Sequence, residues 1–227
     1  MRIAVAGAHG QVARHLVHLL AQRGEQVVAL VRDPDHAGDV EADGAAEVAV
    51  VDLERSSPDQ VAEALDGCDA VVFAAGSGPG SGAARKETMD RDGALLLADA
   101  AERAGVRSYL LVSSMGVESV RDGAEPEGLE PSMLPYLRAK LAAEDGVRER
   151  DLAVTVVRPG GLTDDPGTGR VLLAPSVDRG SVPRADVAAV LAALLALPPA
   201  PGAVLELVGG DDPVEDAVSL ALAGIGL

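Results

Sequence analysis

Short apolar runs alternate with segments of helical periodicity along most of this chain of 227 residues. Each run is apolar at consecutive positions, which is typical of strands buried on both faces of a parallel sheet. The segments between them place apolar residues three and four positions apart, as on one face of a helix. This alternation predicts an α/β fold with a doubly wound parallel sheet and helices on both faces, in a single domain over residues 1–227. The predicted strands, about seven in number, cover residues 1–6, 26–31, 47–52, 69–75, 108–114, 153–158 and 203–208, with a further strand-like run at 170–174.

Helices are predicted in the intervening segments, and two stretches are predicted to be loops. Residues 76–82 are rich in glycine and form either a mobile loop over a ligand or a plain surface loop. Residues 123–135 are acidic and hold three prolines, which predicts an irregular loop at the mouth of a site. Beyond a first helix that follows residue 10, the predicted helices cover 58–65, 87–104, 136 to about 150, about 183–197 and 213–223.

The first strand breaks into a glycine turn that leads directly into a helix. Gly7 lets the chain turn sharply, Gly10 lets an anion approach the backbone, and the small Ala13 lets the helix pack close to the strand. Unpaired N–H groups at the start of that helix suit a pyrophosphate. The turn therefore predicts a dinucleotide-binding, Rossmann-like fold with its ligand at the carboxyl ends of the strands. The alternative is an ordinary strand-to-helix turn.

Arg32 and Asp33 follow the second predicted strand, where the adenosine ribose lies in dinucleotide folds. A guanidinium there favours the 2′-phosphate of NADP(H), whereas a carboxylate favours the ribose hydroxyls of NAD(H). Because Arg32 comes first after the apolar run, NADP(H) is the preferred cofactor. NAD(H), bound through Asp33, is the alternative.

Composition narrows the class of partner. Asp and Glu outnumber Lys and Arg by 36 to 19, which gives a formal net charge of −17. Such a surface repels polyanions, so we expect neither nucleic acid nor an anionic membrane as a partner. The expected partner is a small-molecule substrate. The protein is expected to be a monomer or a homodimer. No signal peptide or long apolar span is recognised, which predicts a cytoplasmic protein. No metal site is predicted, because His15 and His18 lack an acidic or cysteine neighbour, and the single cysteine, Cys68, is expected to be a buried, unreactive thiol.

Tyr136 and Lys140 are spaced four residues apart in a predicted helix, so their side chains project from the same face. The chain has only two tyrosines, and arginine supplies almost all of its basic residues, so a lysine at this spacing stands out. A lysine can stabilise the ionised form of a nearby phenol, which then exchanges a proton as hydride moves to or from a nicotinamide. The alternative is a surface helix with an amphipathic tyrosine and a solvated lysine.

Together these motifs resemble the short-chain dehydrogenase/reductase superfamily, and more narrowly its atypical NAD(P)H-binding branch. The resemblance is carried by the glycine turn, Arg32, the Ser113-Ser114 pair, Tyr136-x-x-x-Lys140 and Arg158-Pro159-Gly160, and by residues 90–93, 162–169 and 183–188. It implies a catalytic role for Tyr136 and Lys140, with Ser113 or Ser114 orienting a carbonyl. It also implies that the cofactor is contacted by Gly7, His9, Gly10, Gln11 and Val12 at the pyrophosphate, by Arg32 at the 2′-phosphate, by Asp52 and Leu53 at the adenine, by Ala74, Ala75 and Gly76 along the ribose, and by Lys140 and Pro159 near the nicotinamide.

Three functions are compatible with these residues. The first is an NADP(H)-dependent oxidoreductase of the atypical short-chain type, acting on a small carbonyl, quinone or similar substrate. Met115 stands where related extended enzymes place the catalytic serine or threonine, which motivates a second hypothesis, a non-catalytic NADP(H)-binding sensor or regulator. A nucleotide-sugar epimerase or dehydratase is disfavoured, because such enzymes need a sizeable substrate domain and only a small substrate-side region, within about 160–227, is expected here.

Overall fold

The computed structural model describes residues 1–78 and 80–226, and it confirms the doubly wound, Rossmann-like α/β class. The strands of this part of the chain are β1 (Arg2–Ala6), β2 (Gln26–Val31), β3 (Glu47–Val50), β4 (Ala70–Phe73), β5 (Ser108–Val112), β6 (Ala153–Pro159), β7 (Gly161–Thr163), β8 (Arg170–Ala174), β9 (Ser181–Pro183), β10 (Val204–Gly209) and β11 (Asp212–Pro213). The α-helices are α1 (Gln11–Gln22), α2 (Ala37–Ala42), α3 (Pro58–Ala64), α4 (Ala83–Arg85), α5 (Gly93–Ala104), α6 (Met133–Arg148), α7 (Arg184–Leu195) and α8 (Val214–Gly224). Short 3₁₀ segments occupy Pro34–His36 and Val117–Gly123, and a π-helical segment, Lys86–Asp92, precedes α5.

Nine strands form one sheet in the order β11-β8-β10-β6-β5-β4-β1-β2-β3. β1 pairs in parallel with β2 on one side and with β4 on the other. The chain winds outward from β1 through β2 to β3 and then returns to β4, so the carboxyl ends of β1 and β4 flank the point where the winding reverses. In doubly wound sheets this reversal opens the crevice in which ligands bind.

The sheet has more strands than the seven predicted, and it is not wholly parallel. β8 runs antiparallel to β10, and β11 runs antiparallel to β8. β7 and β9 pair with each other in a separate two-stranded parallel sheet. β7, β9 and β11 contain only two or three residues each, which is too short to produce a recognisable apolar pattern.

Two predicted boundaries around the site are wrong. α6 begins at Met133 rather than at 136, so the predicted 123–135 loop ends in helix. The loop was predicted to extend to Pro135 because proline usually interrupts a helix. Pro135 lies in the first turn of α6, where a backbone N–H has no intrahelical partner and proline is tolerated. The helix predicted over 87–104 is α-helical only from Gly93, because Lys86–Asp92 has the wider π geometry.

Two apolar clusters cover the two faces of the sheet. One packs α1 and α7 against the sheet through Leu16, Val17 and Leu191. The other packs α3, α5 and α6 against the opposite face of the sheet through Val61, Leu97 and similar small or branched side chains. Among the described residues, no helix is both long and apolar enough to cross a lipid bilayer.

Candidate functional site

The glycine turn between β1 and α1 lies at the reversal point of the sheet. Gly7 adopts a φ of +76°, and a Cβ added there would lie 2.6 Å from the Cα of Ala75. The N–H of Gly10 donates to the Gly7 carbonyl at 2.8 Å, which closes the turn. α1 has neither a side-chain cap nor an acidic residue in its first turn, so no carboxylate of its own occupies the terminal N–H groups. This cradle of backbone donors fits a pyrophosphate.

The side chains of His9 and Gln11 contact residues outside the glycine turn. The His9 imidazole stacks on His36 with ring centroids 3.6 Å apart, and its Nε2 lies 2.8 Å from Asp39 Oδ2. A contact of His9 with a phosphate would therefore use its backbone. The Gln11 amide donates to Asp164 Oδ1 at 3.4 Å, which brings the segment after β7 close to the start of α1.

A cavity of about 430 Å³ opens at the end of β2, where the adenosine was predicted. The Arg32 side chain, which lines it, is 50% exposed, and its Nη1 makes only a long contact of 3.5 Å with Glu54 Oε2. The Asp33 carboxylate accepts the N–H of Asp35 at 3.0 Å and so caps the short helical turn that follows. Asp52 lines the cavity, whereas the Leu53 side chain is buried in the core.

A second cavity, of about 680 Å³, joins residues from the carboxyl ends of β4, β5 and β6, and we call it the central cavity. Tyr136 and Lys140 line it from α6, and Val12 lines it from α1. The structure therefore brings the predicted catalytic pair and the glycine turn to one space. The other predicted residues on its walls are Ala74, Ala75, Gly76, Ser113, Ser114 and Pro159.

Lys140 is buried beside a carboxylate that sequence reasoning missed. Its Nζ lies 3.2 Å from Asp90 Oδ1 and donates to the Val112 carbonyl at 3.2 Å, and the two charged side chains are 5% and 1% exposed. Asp90 Oδ2 accepts the N–H of Ser77, while Oδ1 has no directed hydrogen bond within the described residues, so its contact with Lys140 is an ion pair. The same Nζ lies 5.9 Å from the centroid of the Tyr136 ring. The sequence held a signal for Asp90: it falls four residues before Ala94, on the apolar face of the predicted helix.

The two candidate serines have different surroundings. Ser113 Oγ donates to Glu144 Oε1 at 2.5 Å, and Glu144, which is fully buried, also accepts from the Arg158 guanidinium at 2.6 and 2.9 Å. Arg158 thus forms part of a buried network, and the Ser113 hydroxyl proton is committed to it. Ser114 is only partly buried and donates to the Met115 carbonyl at 3.1 Å.

Cys68 is free and buried, as expected from the sequence. Burial raises the pKa of its thiol, against a smaller lowering by Arg2, which disfavours the reactive thiolate.

The fold and this arrangement define a nicotinamide-dinucleotide-binding protein: a glycine turn at the reversal of a doubly wound sheet, with a tyrosine and a lysine in the adjoining cavity. A sequence model of a protein family described as NAD(P)H-binding matches residues 7–198. The chain belongs to that NAD(P)H-binding family.

Relatives cover nearly the whole chain. An uncharacterized sugar epimerase, YhfK, from Bacillus subtilis is 34% identical over 219 residues, which are 96% of this chain and 99% of that protein. A solved structure described as an NAD-dependent epimerase/dehydratase from Bacillus halodurans is 36% identical with a TM-score of 0.87, covering 97% of this chain and 99% of that one. ChuY, an anaerobillin reductase from Escherichia coli O157:H7, is 26% identical with a TM-score of 0.78, covering 93% and 98%.

Proposed function

We propose that the protein is an NADP(H)-dependent oxidoreductase acting on a small carbonyl, quinone or similar substrate. The observation that carries the proposal is the central cavity, which joins Val12 at the glycine turn to Tyr136 and Lys140. Its volume of about 680 Å³ lies within the range of roughly 300–1,000 Å³ typical of ligand pockets. Membership of the NAD(P)H-binding family and the reductase among its structural relatives support the same function.

Each polar group of the central cavity has a role in this reaction. A bound nicotinamide would supply or accept the hydride. The Tyr136 hydroxyl donates a proton to the carbonyl oxygen in reduction and takes it back in oxidation. Lys140 stabilises the ionised phenol from its buried position, and Asp90 fixes the ammonium in place. Ser114 orients the carbonyl in preference to Ser113, whose hydroxyl already donates to Glu144.

The proposed preference for NADP(H) over NAD(H) rests on the Arg32 guanidinium and the Asp33 carboxylate. The exposed Arg32 guanidinium has only a long contact with Glu54, so it can turn toward a 2′-phosphate. The Asp33 carboxylate also lines this cavity, but its Oδ1 is already engaged in capping the following turn.

A non-catalytic NADP(H)-binding sensor is the second candidate, and the Asp90–Lys140 ion pair favours it. Asp90 compensates the lysine charge that would otherwise act on the Tyr136 phenol. Two relatives are described as epimerases, and an epimerase would return the hydride to its substrate without net oxidation of NADPH.

The experiment is a screen of small aldehydes, ketones and quinones for oxidation of NADPH, followed by Tyr136→Phe. Loss of the proton donor should lower kcat by about 100-fold or more and leave the affinity for NADPH unchanged. Tyr109→Phe is the matched control, because the only other tyrosine is fully buried and its hydroxyl donates to the Ala94 carbonyl, away from the central cavity. Full activity of Tyr136→Phe would remove Tyr136 from the mechanism, and NADPH binding without oxidation by any substrate class would favour the sensor.

A further inference from the structure

A smaller cavity of about 260 Å³ adjoins the central cavity, and we call it the side pocket. The two share wall residues, among them Ser114 and Pro159, so they lie side by side at the carboxyl ends of β5 and β6. No carboxylate lines the side pocket within the described residues. Its remaining walls are mostly apolar and are formed by Met115, Leu129, Met133 and Leu137.

Arg179 lines the side pocket as its only charged residue within the described part of the chain. The side chain is exposed, and its Nη2 lies 3.9 Å from the position that a Cβ would take on Gly116, beside Leu137. Among the described residues, every other arginine has a carboxylate or a backbone carbonyl as a partner, whereas Arg179 has neither. In a chain with a net charge of −17, an arginine without an acidic partner is unexpected.

The backbone fixes Arg179 at this place. The carbonyl of its neighbour Gly180 accepts the N–H of Gly161 at 2.9 Å, where β7 and β9 begin to pair. A Cβ on Gly160 would collide with the same carbonyl, so the close approach of the two segments requires glycine there. The small sheet therefore holds the Arg179 segment against the end of β6, which carries Pro159 on the shared wall.

We infer that the side pocket is the substrate pocket, and that it takes a small apolar molecule bearing a carboxylate, which Arg179 binds. The planar guanidinium matches a carboxylate with paired hydrogen bonds, and the apolar walls take the body of the molecule. The carbonyl to be reduced then lies at the opposite end, at Ser114 and the central cavity. This inference rests on the proposed function, since the pocket serves a substrate only if hydride transfer takes place in the central cavity.

Size and charge define the substrate class further. The volume of about 260 Å³ lies below the roughly 300–1,000 Å³ of pockets for drug-sized ligands, so the body corresponds to a single ring or a short branched chain. The strongly acidic surface repels anions in general, so a local cation is needed for a carboxylate to bind. An oxo-acid or formyl-acid with its carbonyl remote from the carboxylate fits both cavities.

The test compares 4-methylbenzoate with the neutral 4-methylbenzamide, which has nearly the same shape and does not react. Ligand-observed NMR titrations, without nucleotide and with NADP⁺, measure binding to the wild-type protein, Arg179→Gln and Arg179→Lys. We expect the carboxylate to bind about tenfold more tightly than the amide in the wild type, the preference to vanish in Arg179→Gln, and part of it to return in Arg179→Lys. Arg107→Gln is the control: it removes the same charge from an exposed arginine that precedes β5, at the opposite end of that strand from Ser114.

Equal binding of the two probes, no binding of 4-methylbenzoate, or an unchanged preference in Arg179→Gln would each overturn the inference. Reduction of 4-carboxybenzaldehyde and 4-formylbenzamide by NADPH is measured in parallel. If neither aldehyde nor any other carbonyl is reduced while the Arg179-dependent preference persists, the oxidoreductase function fails and the carboxylate site stands. If carbonyls are reduced without any preference for the carboxylate, the carboxylate site alone fails.

Discussion

Replacing Asp90 by asparagine should leave a buried ammonium without its counter-ion. Lys140 Nζ lies 3.2 Å from Asp90 Oδ1, and both side chains are at least nine-tenths buried. The other hydrogen-bond partner of the ammonium among the described residues is the carbonyl of Val112. Asparagine is nearly isosteric with aspartate, so the change removes charge rather than volume.

The distance sets the size of the effect. At an effective dielectric constant of about 20, two unit charges 3.2 Å apart attract by about 5 kcal/mol. Because desolvation of both groups offsets part of this attraction, breaking a buried pair destabilises a protein by about 3–5 kcal/mol. We expect Asp90→Asn to lower the free energy of unfolding by that amount. Adding Lys140→Met in the D90N background should recover about 2–3 kcal/mol, because the unpaired charge is then gone.

Urea unfolding of the wild type, the two single variants and the double variant measures this coupling. The exposed pair of Arg107 and Asp151 supplies the control, since Asp151→Asn should change stability by less than about 1 kcal/mol. If the effects of Asp90→Asn and Lys140→Met simply add, within about 0.5 kcal/mol, then Asp90 does not hold Lys140 and the assignment of a positioning role is refuted.

Two further predictions concern charges near the ends of the strands. Arg32→Ala should weaken NADPH binding by about tenfold or more and leave NADH binding unchanged, whereas Asp33→Ala should leave the ratio of the two affinities unchanged. Fluorescence titration with both nucleotides measures these affinities, and equal losses of NADPH and NADH affinity in Arg32→Ala would contradict the role of Arg32. Arg121 lowers the pKa of Glu118 from its ordinary value of 4.5 to about 2, against the effect of burial and with help from Arg158. The depressed folded-state pKa means that Glu118 stabilises the fold fully above pH 4.5 and loses its contribution as the pH falls through about 2. Since the Glu118 side chain is 50% exposed, that contribution is about 1 kcal/mol or less. The difference in free energy of unfolding between wild type and Glu118→Gln, measured in urea, should therefore disappear at low pH. A difference that persists there would contradict the stabilising role of the Glu118 carboxylate.

Local sequence patterns were enough to predict the longer strands of the sheet and one end of the site. β1, β2, β5 and β6 are continuous apolar runs bounded by turn residues, so their places were predicted within a residue or two. The positive φ at Gly7 is a property of a single turn, and the glycine there signals it directly, whereas the crowding of that position by Ala75 comes from the segment after β4. The shared face of Tyr136 and Lys140 follows from helical spacing alone.

Other parts of the site arise from contacts between residues far apart in the chain. The ion pair of Lys140 with Asp90 joins α6 to the π-helical segment, and it depends on how the two pack. Ser113 and Ser114 differ in their surroundings because of Glu144, whose carboxylate accepts a hydrogen bond from the Ser113 hydroxyl. No local pattern in the sequence distinguishes these two adjacent serines.

The sequence by itself determined the order of the longer strands and helices, the dinucleotide turn and the spacing of the Tyr136–Lys140 pair, because each depends on residues within a few positions of one another. Only the tertiary structure decided that Arg179 lines a pocket beside the central cavity without a partner among the described residues. That position depends on the pairing of β7 with β9, strands of three residues each that are stable only through the contacts they make with the rest of the fold.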